Sequence, residues 1–250
     1  PKNIDQQIIG TIENITEALI QENCSLADAV RLKIFYRPKI KNHEIKIIKS
    51  FLSFFPTEPS PVISTLPVPL HPFDDQEIQV QVIAARGWRS RKDFQFQTQK
   101  LTVFDEPSST PSIITTALRA GEFISVANRS AAQFSSKLEI NCTGEEESHI
   151  VMSSIENSLR SVGASFQDSI KMEGYYFGRT REDWAPLAKA RASYFKEPGP
   201  PATVVPCHIL WPDSVSTKVE VLAMRERRNS YDKYIPRDDS WPERVWDWEL

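Results

Sequence analysis

Residues 14–30 read NITEALIQENCSLADAV, residues 154–170 read SIENSLRSVGASFQDSI, and the two segments share one pattern. Ile15 falls on Ile155, Leu19 on Leu159, Ser25 on Ser165 and Asp28 on Asp168. Extended outward without a gap, residues 8–72 lie on 148–212. Tyr36 then meets Tyr176, Ser53 meets Ser193, Phe55 meets Phe195, Pro61 meets Pro201 and Pro72 meets Pro212. Identities are few, but apolar helix positions, turn residues and prolines stay in phase. A spacing this long marks a duplicated domain, because solenoid repeats run at roughly 20–50 residues. Function is therefore to be sought where the copies differ.

The repeated unit has a readable order. Residues 5–22 place Ile8, Ile12, Ile15 and Leu19 on one helical face, and 150–162 do the same with Met152, Ile155, Leu159 and Val162. Asn23 and Gly163 follow, both types that tolerate the left-handed backbone closing a helix. A strand comes next: Val30, Leu32, Ile34 and Tyr36 alternate in the first copy, Ile170, Met172 and Tyr176 in the second. A second helix is expected near 43–55 and 183–195, closing on Phe54-Phe55 and Tyr194-Phe195. Proline-rich turns and an extended stretch lead to a terminal strand at 77–84 or 218–224.

On that terminal strand Ile78, Val80 and Val82 share one face, as do Val219, Val221 and Ala223. The opposite face carries Gln79, Gln81 and Ile83 in the first copy, and Glu220, Leu222 and Met224 in the second. A half-apolar second face is expected to be covered by another sheet or subunit, which makes a homo-oligomer the economical expectation. Strand-like pieces at Leu101–Phe104 and Phe123–Ala127, around a turn at Ala120-Gly121, precede the second copy's first helix. The first copy has no counterpart, so its sheet would carry an open edge. Either that hairpin was lost or the chain begins inside a longer protein; the second is favoured.

At 250 residues the chain can build two modest cores. A net charge of −3 gives no global attraction to phosphate backbones, so nucleic acid is not an expected partner. The basic runs Arg86 to Lys92 and Arg225, Arg227, Arg228 read as solvated loop edges. No segment approaches the roughly 18 apolar residues that span a bilayer, so no membrane is expected either. Cys24, Cys142 and Cys207 form no CxxC, and His43, His71, His149 and His208 form no ligand pair. Neither a disulfide framework nor a metal site is implied, and a reducing, cytoplasmic location is expected. Asn141-Cys142-Thr143 carries little meaning without a secretory signal. The tail, with Trp241, Trp246 and Trp248, is too aromatic for a solvating segment and is expected to pack on a neighbour.

The order hairpin, helix, strand, helix, strand, strand resembles the Rid family, also called YjgF, the reactive-intermediate imine deaminases. Ala120-Gly121-Glu122-Phe123-Ile124-Ser125-Val126 is similar to the family's hairpin, and Gly163 to Ile170 to its post-helix turn. Pro200 to Val205 resembles its Pro-rich turn, Lys218 to Ala223 its last strand, and residues 14–30 its first helix and turn. The resemblance implies an α/β (α+β) fold: two tandem chorismate-mutase-like domains, each a mixed sheet with two helices on one face. Residues 1–86 would form the first domain, 87–100 a linker, 101–225 the second and complete domain, and 226–250 the Trp-rich tail. It further implies a trimer with clefts between neighbours, and hydrolysis of an enamine or imine of a small-molecule substrate without any cofactor. In such a site an arginine after the Pro-rich turn holds a carboxylate, a guanidinium fork matching it bidentately. A glutamate on the last strand positions the water.

Here the arginine position falls on Thr203 and Ile63, while the glutamate is Glu220 in the second copy and is aligned with Gln79 in the first. The tyrosine that often precedes the hairpin falls near Ile114, and the hairpin's closing pair is Ala127-Asn128. Glu220 is the candidate catalytic residue; buried, its pKa would be raised and it could act as a general acid or base. Thr203, Cys207, Asn128 and Arg129 are the candidate substrate-binding residues, with Arg129, or equally Arg119, replacing the lost clamp. Cys207 and His208 are adjacent on a strand, so they point to opposite faces and cannot form a nucleophile–base pair. Glu145-Glu146-Glu147 reads as a helix N-terminus. Three readings stay open: an imine or enamine deaminase using Glu220, a chorismatase-like hydrolase, and a non-catalytic metabolite-binding or assembly module. An open cleft with Glu220 at its floor separates the enzymes from the module, whose cleft would be filled by side chains. The endoribonuclease label sometimes attached to the family suits an acidic chain least.

Overall fold

The computed structural model describes residues 3–39, 43–69, 71–90, 96–103, 112–131, 143–196, 199–210 and 215–225. The aromatic tail, Cys142, Phe104, Arg227 and Arg228 lie outside the described residues. Asn3 caps the first helix, α1 (Ile4–Gln21): its side chain accepts from the Gln6 backbone N–H at 2.9 Å while the Gln6 side chain accepts from the Asn3 backbone N–H at 3.2 Å. Thr143 and Glu146 repeat this box on α3 (Gly144–Ser161). That helix begins at Gly144, so Glu145-Glu146-Glu147 forms its acidic first turn, as expected, ahead of the apolar face that starts near residue 150.

Past each helix the chain turns through a positive φ, 53° at Asn23 and 72° at Gly163. The aligned serine and aspartate then fold the chain into a strand. The Asp28 carboxylate accepts from the Ser25 amide at 2.8 Å and hydroxyl at 3.0 Å, and Asp168 does the same for Ser165. The first copy continues with β1 (Ala29–Tyr36), α2 (His43–Leu52), β2 (Val62–Pro67) and β3 (Ile78–Ala84). The second contains β4 (Phe96–Val103), β5 (Ser112–Ala120), β6 (Phe123–Arg129), α3, β7 (Ser169–Phe177), α4 (Arg181–Ala192), β8 (Ala202–Cys207) and β9 (Thr217–Met224). Leu101 belongs to β4, a strand ahead of the hairpin; the hairpin itself is β5–β6, turning at Gly121 with φ 65°. The polar pair Thr115-Thr116 had hidden β5.

The sheets run β2-β1-β3 and β4-β5-β6-β9-β7-β8. In both, the strand after the first helix pairs in parallel with the strand after the second and antiparallel with the terminal one. Ile8 and Ile12 pack on Leu32, Ile34, Tyr36 and Phe51; Met152, Ile155 and Leu159 pack on Val126, Val219 and Val221. A register shift between Ala29 and Arg31 takes Val30 out of the helix-side core. It joins Val62 and Trp88 against Leu118, Ala120 and Ala127 of the second copy.

The second faces of the two sheets therefore cover each other within one chain. Leu66 meets Tyr175 and Cys207 in the same way. The covering is uneven: β2 is buried along its whole length, whereas its counterpart β8 is largely exposed except at Cys207. No helix among the described residues is long and apolar enough to cross a membrane.

A Cβ at position 163 would lie 2.9 Å from the Gln97 side-chain oxygen on a backbone that disfavours side chains. Gly163→Ala is expected to lower stability to urea by about 1–2 kcal/mol. Asn23→Gly, at the aligned turn, is expected to be neutral or to gain a few tenths.

Candidate functional site

Three strands of the second sheet place Thr203, Glu173 and Glu220 in one row, since Glu173 on β7 lies opposite Thr203 on β8 and Glu220 on β9. Strand β1 of the first copy crosses over this row. Its Leu32 and Ile34 face the helices, so the intervening Arg31 and Lys33 face the second copy. Arg31 Nη2 lies 2.8 Å from Glu220 Oε2 and 3.5 Å from Glu173 Oε2. Lys33 Nζ lies 2.9 Å from Glu220 Oε1 and 2.7 Å from Glu173 Oε2. The Tyr175 hydroxyl donates to Glu220 Oε1 at 2.8 Å and also contacts Lys33 Nζ. Lys171 closes the outer side of Glu173 at 2.7 Å.

The Glu220 side chain is 1% exposed. Burial alone would raise its pKa, but Arg31 and Lys33 outweigh burial and hold the carboxyl well below the usual carboxylate range. The expectation of a raised pKa is thus reversed: Glu220 is a fixed anion locked between two cations, and the space at its carboxylate is filled. The Tyr175 phenol is pushed up by burial and then by Glu220 and Glu173, so it stays a donor. A second buried pair lies beside the first. Lys218 on β9 reaches Glu44 of α2 at 2.9 and 3.2 Å, and Thr65 of β2 donates to the same carboxylate.

The other candidates are dispersed. Thr203 sits exposed on edge strand β8, separated from Glu220 by Glu173. Burial pushes the Cys207 thiol up to about 11, with Lys218 partly opposing, so it is a neutral structural thiol. Asn128 is engaged by the first copy: its amide nitrogen donates to the Thr65 carbonyl at 2.5 Å, and its own backbone N–H donates to Ser64 Oγ at 3.0 Å. Its side chain stitches β6 to β2. Arg129 follows a register shift in β6 and turns to the helix side, where its Nη2 lies 3.3 Å from Gln99 Oε1 and 3.2 Å from Ser158 Oγ. His208 is exposed beyond the end of β8. Pairing also corrects the alignment of the glutamate. Lys33 lies opposite Gln81 as Glu173 lies opposite Glu220, so the counterpart of Glu220 is Gln81 and not Gln79.

Arg31, Lys33, Glu173, Lys218 and Glu44 were not singled out by the sequence reading. The signal available was the repeat itself, which sets Lys33 on Glu173, opposite charges at one position of one strand.

Glu220→Gln leaves two buried cations with one carboxylate between them, and is expected to lower stability by about 3–5 kcal/mol. The folded pKa of Glu220 is depressed, so its stabilisation is present above the ordinary carboxylate value, near 4.3, and is lost as pH falls below it. Urea denaturation from neutral to acid pH should show this decline in the wild type and a flatter profile in the variant.

No family model matches the sequence, and no curated protein matches it. Solved structures resemble it over about half of the chain. A Mycobacterium tuberculosis protein of the YjgF/YER057c/UK114 family is 20% identical, matching 44% of this chain and 85% of its own, with a TM-score of 0.37. RidA from an Antarctic Psychrobacter is 16% identical over 54% of this chain and 99% of its own, with a TM-score of 0.39. Escherichia coli TdcF, solved with bound serine, is 16% identical over 51% and 99%, with a TM-score of 0.41. The chain is similar to solved structures of the YjgF/YER057c/UK114 family, the one that its hairpin, turn and strand motifs resemble.

Proposed function

We propose that this chain is a non-catalytic Rid-fold assembly module, in which the two copies are locked together at the place where the family would hold its substrate. The observation that carries this reading is the occupancy of the Glu220 carboxylate by Arg31 and Lys33 of the first copy. Its support extends to both arginine positions, which are an exposed threonine, Thr203, and a core residue, Ile63. A water positioned by Glu220 would need a free carboxylate lone pair facing a cleft. Here Arg31, Lys33 and Tyr175 surround that carboxylate.

The assembly side of the proposal rests on the contrast between β2 and β8. The first is buried against the second copy; the second presents Thr203 and Val205 to solvent at the sheet edge. Association of copies through β8, as the trimer implied by the family resemblance, follows from this asymmetry. The competing reading is hydrolytic deamination of an enamine or imine, or a chorismatase-like hydrolysis, of a cytoplasmic small molecule. It requires Arg31 to leave Glu220 during turnover.

Ammonia release from freshly generated amino-acid-derived and other imines separates the two. The expected result is no acceleration over buffer by the wild-type protein. Acceleration that disappears in a folded Glu220→Gln variant would instead establish a deaminase. Light scattering should find an oligomer that Val205→Lys, a charge on the exposed edge strand, converts to monomer. A wild-type monomer would remove the assembly half of the proposal.

A further inference from the structure

A groove between α3 and strands β4–β5 lies on the helix side of the second sheet, away from the Arg31–Glu220 network. It holds a cavity of about 560 Å³. Arg129 lines it, 3% exposed, its Nη2 resting on Gln99 Oε1 and Ser158 Oγ. Ser154 and Asn157 of α3 line the opposite wall, and Leu101 and Ile150 supply apolar surface. Lys100 also borders it and is paired with Glu58 at 2.6 Å. No carboxylate is present among the described lining residues.

The duplication gives this face an internal control. The positions aligned with Ser153, Ser154 and Asn157 are Glu13, Asn14 and Glu17 in the first copy. The copy that carries the buried guanidinium has thus exchanged two carboxylates on the overlying helix face for a hydroxyl and an amide. That exchange removes the negative charge that would compete with an incoming anion. Burial lowers the Arg129 pKa to about 10, which still leaves it protonated at neutral pH.

We infer that this groove binds a small metabolite bearing an oxyanion, a carboxylate or a phosphate. Arg129 takes the charged group, Ser154 and Asn157 donate from the helix, and the apolar remainder lies on Leu101 and Ile150. A guanidinium edge matches the geometry of both oxyanions, and a partly desolvated site strengthens the attraction. The site is separate from Glu220 and does not depend on the assembly reading.

The test is an amide and arginine side-chain NMR titration of the whole chain with inorganic phosphate and, separately, with acetate, at fixed ionic strength. Saturable shifts confined to Gln99, Arg129 and the 150–158 segment of α3 are expected, and the anion that binds more tightly identifies the oxyanion class. Asn157→Asp sets a carboxylate on the exposed rim without touching the core. It should weaken binding by about tenfold or more while leaving the unfolding transition in place. Absence of saturable shifts with either anion, shifts centred elsewhere, or undiminished binding by Asn157→Asp would overturn the assignment.

Discussion

Two cations of one strand, Arg31 and Lys33, held against two carboxylates of another sheet, Glu173 and Glu220, set the relation between the copies. Each of these groups would be costly to bury alone. Together they satisfy one another, and Tyr175 supplies a further donor to Glu220. Ion pairs of this kind need not add net stability over an apolar contact, but they fix which residue meets which. Apolar contact between the sheets, as in Val30, Val62 and Trp88 against Leu118 and Ala127, tolerates sliding. The charge lattice, with Lys218 on Glu44 beside it, selects one register.

Duplication followed by divergence explains the asymmetry around that lattice. Both copies keep the same helix-to-strand turn and the same strand pairing, since these build each core. Their outward faces have specialised. The first copy carries Arg31 and Lys33, a fully buried β2 and exposed Gln79 and Gln81; the second carries Glu173 and Glu220, the hairpin and the exposed β8. Asn128 shows the same division at the level of one side chain, its amide serving as a ladder rung for a strand of the other copy.

The chemistry of the second copy is divided between the two faces of its sheet. On the face toward the first copy, Glu220 is an anion held by Arg31 and Lys33 and Cys207 is protonated, which suits permanence more than turnover. On the helix face, Arg129 sits beside open space whose described lining residues, from α3 included, carry no carboxylate. The consecutive residues Asn128 and Arg129 thus serve opposite faces, one for assembly and the other for the groove.

The sequence by itself determined the repeat, the helix–strand–helix order shared by the copies, most of the helix-side core positions and the turns after the first helices, because each follows from local spacing. Apolar residues at helical or alternating intervals and a Ser–Asp turn after a left-handed residue need only their near neighbours to act. It also marked Glu220 as unusual. What only the tertiary structure decided was the meaning of that residue. A carboxylate's pKa depends on what surrounds it, and Arg31 and Lys33 stand 189 and 187 positions away along the chain, brought close only when the sheets stack. Val30 turning out of its expected face, Gln81 rather than Gln79 as the counterpart of Glu220, and β5 hidden by its threonines fail for related reasons. A bulge, a pairing register and a hydrogen-bonded edge are properties of two strands together, and neither strand records them alone.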